Sequence, residues 1–215
     1  MGSGKSSLLK TLYFELDLNE AENAIVLNHD LRGLKRKYVP ALRRQMGIIF
    51  QDFQLLSDRT VHDNLAFVLK ATGWKDKQEI EERINDVLED VELQEYADRF
   101  PHELSGGEQQ RVAIARSMLN HPKIIIADEP TGNLDPDTAA HIISLLRQVT
   151  QSGTAVVMTT HNIPLLDEYP GIVYRCIDHR LEEITNDYNK MALTEEEEVS
   201  AQQAVDYSTR EDLSM

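Results

Sequence analysis

The stretch Ile124-Ile125-Ile126-Ala127-Asp128-Glu129 constrains the fold of this chain more than any other. Its aliphatic part, Ile124–Ala127, is far short of the roughly 20 apolar residues needed to cross a bilayer, and it stops at two carboxylates. Such a run suits a short buried strand.

Around it the apolar pattern alternates between strand and helix. Lys123–Ala127, Ala155–Thr159 and Ile172–Ile177 read as strands, and Asp137–Gln151 and Ile163–Tyr169 as helices. This alternation predicts a parallel sheet with right-handed crossovers. Upstream, Ala24–Leu27 and Gly47–Phe50 read as short strands, and Ser6–Leu16 as a helix. From about 53 to 119 the pattern is helical only. It holds Val61–Ala71, stopped by Gly73, then Lys77–Val91, then a helix capped by Ser105 and running to about Leu119. The expected architecture is α/β, a core with a mostly parallel sheet and an inserted helical subdomain, in one domain over 1–184. Residues 181–215 hold ten acids and two bases. The stretch from 185 onward is too polar to offset its ordering entropy, and a disordered acidic tail is expected.

The net charge of −15 weighs against nucleic acid as a partner, which would need a cationic face. Cys176 is the single cysteine, so no intramolecular disulfide forms and a reducing compartment fits. The polar, glycine-rich start shows no signal peptide.

Gly2-Ser3-Gly4-Lys5-Ser6-Ser7 matches the closing part of the phosphate-binding loop G-x-x-x-x-G-K-[ST]. Glycines let backbone N–H groups curl round phosphates, a lysine reaches the β and γ phosphates, and a hydroxyl holds Mg²⁺. The helix opening near Ser6 adds the positive end of its dipole. Alone these residues are a weak signal, and Met1-Gly2-x-x-x-Ser6 also fits an N-myristoylation pattern. The matching partners elsewhere favour the phosphate loop, and with it a P-loop NTPase core for the α/β domain. Asp128 at a strand tip can hold Mg²⁺, usually through water, and Glu129 can polarise an attacking water as general base.

Leu104-Ser105-Gly106-Gly107-Glu108-Gln109-Gln110 is the most specific stretch. Ser105 and Glu108 form a capping-box pattern. Two glycines directly after the cap leave a helix N-terminus with open N–H groups, which makes a second anion site. Here the chain resembles the LSGGQ signature of the ABC ATPase family. Gln51 then resembles the Q-loop glutamine that senses Mg²⁺ and the attacking water. Asn133-Leu134-Asp135 resembles the D-loop, and His161 the switch histidine that contacts the γ-phosphate. The likeness runs to about Ile184.

The resemblance implies a homodimer in the ATP state, paired head to tail around two ATP molecules. Each ATP would touch the loop Gly2, Ser3, Gly4, Lys5, Ser6 and Ser7, with Gln51, Asp128, Glu129 and His161, on one chain. It would touch Ser105 and Gly107 of the other, with Asp135 at the junction. Mg²⁺ would sit on Ser6, Gln51 and Asp128. Phe50–Leu56 followed by Asp58-Arg59-Thr60-Val61-His62-Asp63-Asn64 is similar to the family's ATPases of bacterial cell division, which work with an integral membrane partner, FtsX. Lipoprotein-release and macrolide-export ATPases are near relatives. The implied place is peripheral, on the cytoplasmic face of the bacterial inner membrane.

Two departures qualify the likeness. The loop's first glycine, its feeding strand and an adenine-stacking aromatic would precede Met1. The native start is therefore expected upstream, since Lys5, Asp128, Glu129 and His161 are all present; the competing reading is a non-hydrolysing scaffold. Asn28-His29-Asp30 replaces a usual glycine, with a local loop effect expected. Soluble repair or ribosome-associated members fit less well. There is no long coiled coil before the signature and no second copy of the domain.

Overall fold

A computed structural model describes residues 4–18, 20–164, 169, 171–178 and 180–186. The chain divides into two compact units, Lys5–His161 and Asn162–Met215 with Met1–Gly4. In chain order the first runs α1 (Lys5–Leu12), β1 (Ile25–Val26), β2 (His29–Asp30), α2 (Val39–Arg43), β3 (Met46–Ile49), α3 (Val61–Thr72), α4 (Lys77–Asp90), α5 (Gly106–Met118), β4 (Ile124–Asp128), α6 (Pro136–Gln151) and β5 (Ala155–Thr159).

The core is a parallel sheet ordered β3-β4-β5, with Ile49 opposite Ala127 and Asp128 opposite Thr159. Ile125, Ile126 and Ala127 on the central strand are at most 1% exposed, which is why β4 shows no polar alternation. Each buried isoleucine contributes on the order of 1.5–3 kcal/mol. α1 packs on β4, α5 on β3, and α6 on α5 and β5. Gly47 allows the close approach of β3 to α5, because a Cβ there would collide with the Ser117 carbonyl oxygen and the Ile125 side chain.

Between β3 and β4 the described chain forms no strand. Thr60 caps α3, Gly73 ends it at φ 106°, and Asp76 caps α4 through the amides of Gln78 and Glu79. Ile80, Ile84, Val87 and Leu88 of α4 are buried, and α3, α4 and α5 pack on one another. Arg83 donates to the carbonyls of Leu119 (3.1 Å) and Met118 (2.7 Å), which satisfies the C-terminal end of α5.

Three elements differ from the sequence reading. α1 stops at Leu12 rather than Leu16, because Phe14 turns left-handed at φ 58°. Arg43 grips the carbonyls of Tyr13 and Phe14 at 3.0 and 3.1 Å. The strand expected at Ala24–Leu27 is one arm of a hairpin, turned by Leu27 and Asn28 at φ 47° and 65°, the mirror-type turn that suits strand twist. In the other unit, β6 (Tyr174–Ile177) pairs antiparallel with β7 (Arg180–Glu183). β7 left no pattern to read because all four of its residues are exposed. The helix expected at Ile163–Tyr169 lies mostly outside the described residues, and so does the acidic tail beyond Asn186. No helix of the described residues is long and apolar enough to cross a membrane.

Candidate functional site

The carboxyl ends of β4 and β5 and the N-terminus of α1 bring the chemical residues together. Asp128, the last residue of β4, accepts hydrogen bonds from Ser6 Oγ (3.1 Å) and Thr159 Oγ1 (2.7 Å). Thr159 is buried, and its hydroxyl also accepts from the Glu129 amide at 3.0 Å. One hydroxyl therefore fixes both acids. Glu129 stands at φ 49°, a left-handed conformation that a non-glycine residue adopts at a cost of about 1–2 kcal/mol and keeps only where its surroundings hold it.

Glu129 meets His161. His161 Nε2 is 3.0 Å from Glu129 Oε1 and 3.3 Å from Lys5 Nζ. The same nitrogen cannot serve both neighbours in one state: protonated it donates to the carboxylate, and bare it accepts from the ammonium. His161 thus stands between an acid and a base, and the tautomer sets which of them it holds. The Glu129 side chain is 13% exposed and that of His161 65% exposed, so the acid is sheltered while the imidazole faces outward.

The donor set suits Mg²⁺. Ser6 Oγ and Asp128 Oδ1 are hard oxygen donors side by side at 3.1 Å. Among the described residues no group of three His, Cys, Asp or Glu side chains forms an all-protein cage. Mg²⁺ held through one carboxylate and one hydroxyl would keep waters and substrate phosphate in the rest of its shell. Gln51 is exposed and lines, with Asp128, Leu9, Lys10 and Tyr13, a cavity of about 300 Å³ between α1 and β3. Gly4 takes φ 89° just before α1, and Gly2 and Ser3 lie outside the described residues. Ser7 is exposed on the first turn of α1.

The other expected site residues gather elsewhere. Ser105 caps α5: its hydroxyl accepts from the Glu108 amide (3.3 Å) and donates to Glu108 Oε2 (2.8 Å). The Ser105 amide and hydroxyl together hold the Glu108 carboxyl below its ordinary pKa. Asp135 caps α6 through the Thr138 amide at 3.0 Å, and hydrogen bonding from Thr138 likewise lowers its pKa. Gly107 lies against α6, where a Cβ would come 2.5 Å from Thr138 Cγ2. Neither Ser105 nor Asp135 bonds to Lys5, Asp128, Glu129 or His161 within the described chain.

Sequence reasoning missed Thr159. Its only signal was a threonine closing an apolar strand, which becomes meaningful once the register sets it opposite Asp128. The joining of Gly107 to Thr138 also had no local signal.

A model of the ABC transporter family matches residues 1–132. The chain belongs to the ABC transporter family. It is similar to the cell division ATP-binding protein FtsE of Bacillus subtilis, at 48% identity over 75% of this chain and 70% of that one. FtsE of Escherichia coli is 46% identical over 77% of this chain and 73% of its own. FtsE of Streptococcus pneumoniae is 43% identical over 77% and 71%. Among solved structures, a dimeric ATP-binding cassette in a post-hydrolysis state, bound to ADP and Pi, superposes with a TM-score of 0.75 at 32% identity, over 85% of this chain and 82% of that one. The cassette cbiO1 from Clostridium perfringens, part of an ABC transporter complex, gives 0.76 at 30% identity, over 84% and 72%. The family and these neighbours agree with an ATP-binding α/β cassette.

Proposed function

We propose that this chain is the ATP-hydrolysing subunit of a membrane complex of the FtsE–FtsX kind, and that it acts as a homodimer. The observation that carries the reading is the linked set Lys5, His161, Glu129, Asp128 and Ser6, assembled from three separate parts of the sequence. A structural role alone gives no reason to hold a carboxylate in a strained conformation beside an exposed imidazole.

In this reading Lys5 exchanges His161 for the terminal phosphates of ATP. Its departure leaves His161 Nε2 beside Glu129 alone, and the imidazole then turns its Nε2–H from that carboxylate toward a phosphate oxygen, which frees Glu129 Oε1. Glu129 Oε1 accepts the proton of the attacking water as general base. Ser6 and Asp128 would hold Mg²⁺, with Gln51 at the edge of the same cavity; the ion supplies charge neutralisation of the phosphates. Ser105 and Gly107, at the open end of α5, would meet the nucleotide held by the second copy, with Asp135 beside them. The similarity to FtsE supports a membrane-embedded partner and a peripheral place on the cytoplasmic face of the inner membrane.

The test is Mg²⁺-dependent phosphate release by the full chain, with and without an FtsX-type partner in bilayers, beside Glu129→Gln. Loss of general-base catalysis predicts a fall of about 10²–10⁴ in turnover, with ATP binding retained. If the parent releases no phosphate even with the partner present, the chain is a non-hydrolysing scaffold.

A further inference from the structure

Arg116 lies on α5, ten positions beyond Gly106, the residue at which that helix opens. Its Nη1 donates to the Gln54 carbonyl at 2.6 Å and its Nη2 to the Phe53 carbonyl at 2.7 Å. It makes no ion pair among the described residues. Burial pushes its pKa down to about 10, with Asp52 pulling the other way. A cation taken out of water is normally offset by a carboxylate. Here two carbonyl oxygens do that work, and both lie just after Gln51.

Those carbonyls are displayed by an unusual backbone. Phe53 and Gln54 are consecutive non-glycine residues at φ 59° and 48°. Two successive left-handed residues are unfavourable and persist only when something outside the loop holds them. The planar fork of a guanidinium fits two adjacent oxygens in a way that a lysine cannot. Arg116 also lies over Phe50, with its guanidinium carbon 5.9 Å from the ring centroid, so it touches the segment on both sides of Gln51.

α5 is a rigid carrier. Val112, Ala113, Ile114 and Ala115 are fully buried, and Ser117 nearly so. From Arg116 to the helix's open end is about 15 Å at the helical rise of ~1.5 Å per residue. That end carries Ser105 and Gly107.

We propose that Arg116 is a positioning residue that locks the loop carrying Gln51 to α5, so that Gln51 and the Ser105–Gly107 terminus shift as one body. The loop that reports on a chain's own nucleotide is thereby geared to the surface offered to the other copy. This deepens the ATPase reading and rests on it for its consequence in turnover, but the mechanical link itself does not.

The experiment uses the full chain with Arg116→Lys and Arg116→Met. Amide hydrogen exchange reads the link without activity. The expected result is exchange at least about tenfold faster at 52–56 together with faster exchange at 105–108, with α4 unchanged, which would place the two segments in one cooperative unit. Turnover reads the consequence. Arg116→Lys is expected to lower kcat about tenfold or more while changing the KM for ATP less than about twofold, because an interaction that matters after binding has been removed. A lysine variant with parental exchange at 52–56, or exchange raised there but not at 105–108, overturns the proposal. So does a loss confined to KM. If the parent itself shows no turnover, the ATPase reading fails, and the exchange data still decide the link.

Discussion

Replacing Thr159 by valine removes one oxygen and keeps the side chain's shape. That oxygen donates to Asp128 at 2.7 Å and accepts from the Glu129 amide at 3.0 Å. A hydrogen bond to a carboxylate is worth about 1.5–3 kcal/mol, and an N–H left without a partner costs about 1–3 kcal/mol. The added methyl group returns about 0.8 kcal/mol. Water reaches Glu129 in part, so the expected net loss is about 2–4 kcal/mol. Urea unfolding would show it as a lower midpoint at unchanged slope. Thr159→Ser keeps the hydroxyl and should lose no more than about 1 kcal/mol, the size of one deleted methyl group. In turnover the valine variant should be worse than its stability implies, because Glu129 loses the bond that holds its left-handed backbone. A valine variant within about 0.5 kcal/mol of the parent, the range of ordinary surface changes, would refute the view that one hydroxyl fixes both acids.

Other outcomes follow from the same geometry. Gly107→Ala should destabilise by about 1–3 kcal/mol through overpacking against Thr138. Thr138→Ser, which deletes the clashing methyl group, should restore most of it, as a double-mutant cycle would read. Gln110 is buried, and its Nε2 has no hydrogen-bond partner among the described residues. Gln110→Met is therefore expected to be neutral or to raise thermal stability by up to about 1 kcal/mol. Asp30 is held at a pKa of about 2 by hydrogen bonds from the Arg32 side chain and amide. Because the folded value is depressed, this contribution is present above pH 3.8 and fades as pH falls toward 2. NMR titration of the Asp30 carboxyl should give the low midpoint, and Arg32→Gln should move it back toward 3.8.

What could be read in advance depended on whether the cause was local. β4 was legible because a strand covered on both faces carries only apolar side chains, and α4 because its buried residues recur at helical spacing. Ser105 announced its cap through Glu108, three positions on. β2 is two residues long, too short for any period to show. The end of α1 depends on Arg43, about thirty residues downstream, and the loop after Gln51 depends on Arg116 more than sixty residues on. Within the site, the acids and the histidine were visible as types at strand ends. The hydroxyl joining them was not, because its meaning comes from the register of β4 against β5.

The left-handed backbone at Glu129 bears on how this chain would change over generations. Glycine fits φ 49° without strain, and asparagine fits it more easily than glutamate does. Were hydrolysis no longer selected, substitutions at this position would make the fold easier to maintain, so drift would run away from glutamate. A random-mutagenesis library screened for folding alone should be enriched in glycine and asparagine at position 129, and one screened for turnover should return the glutamate.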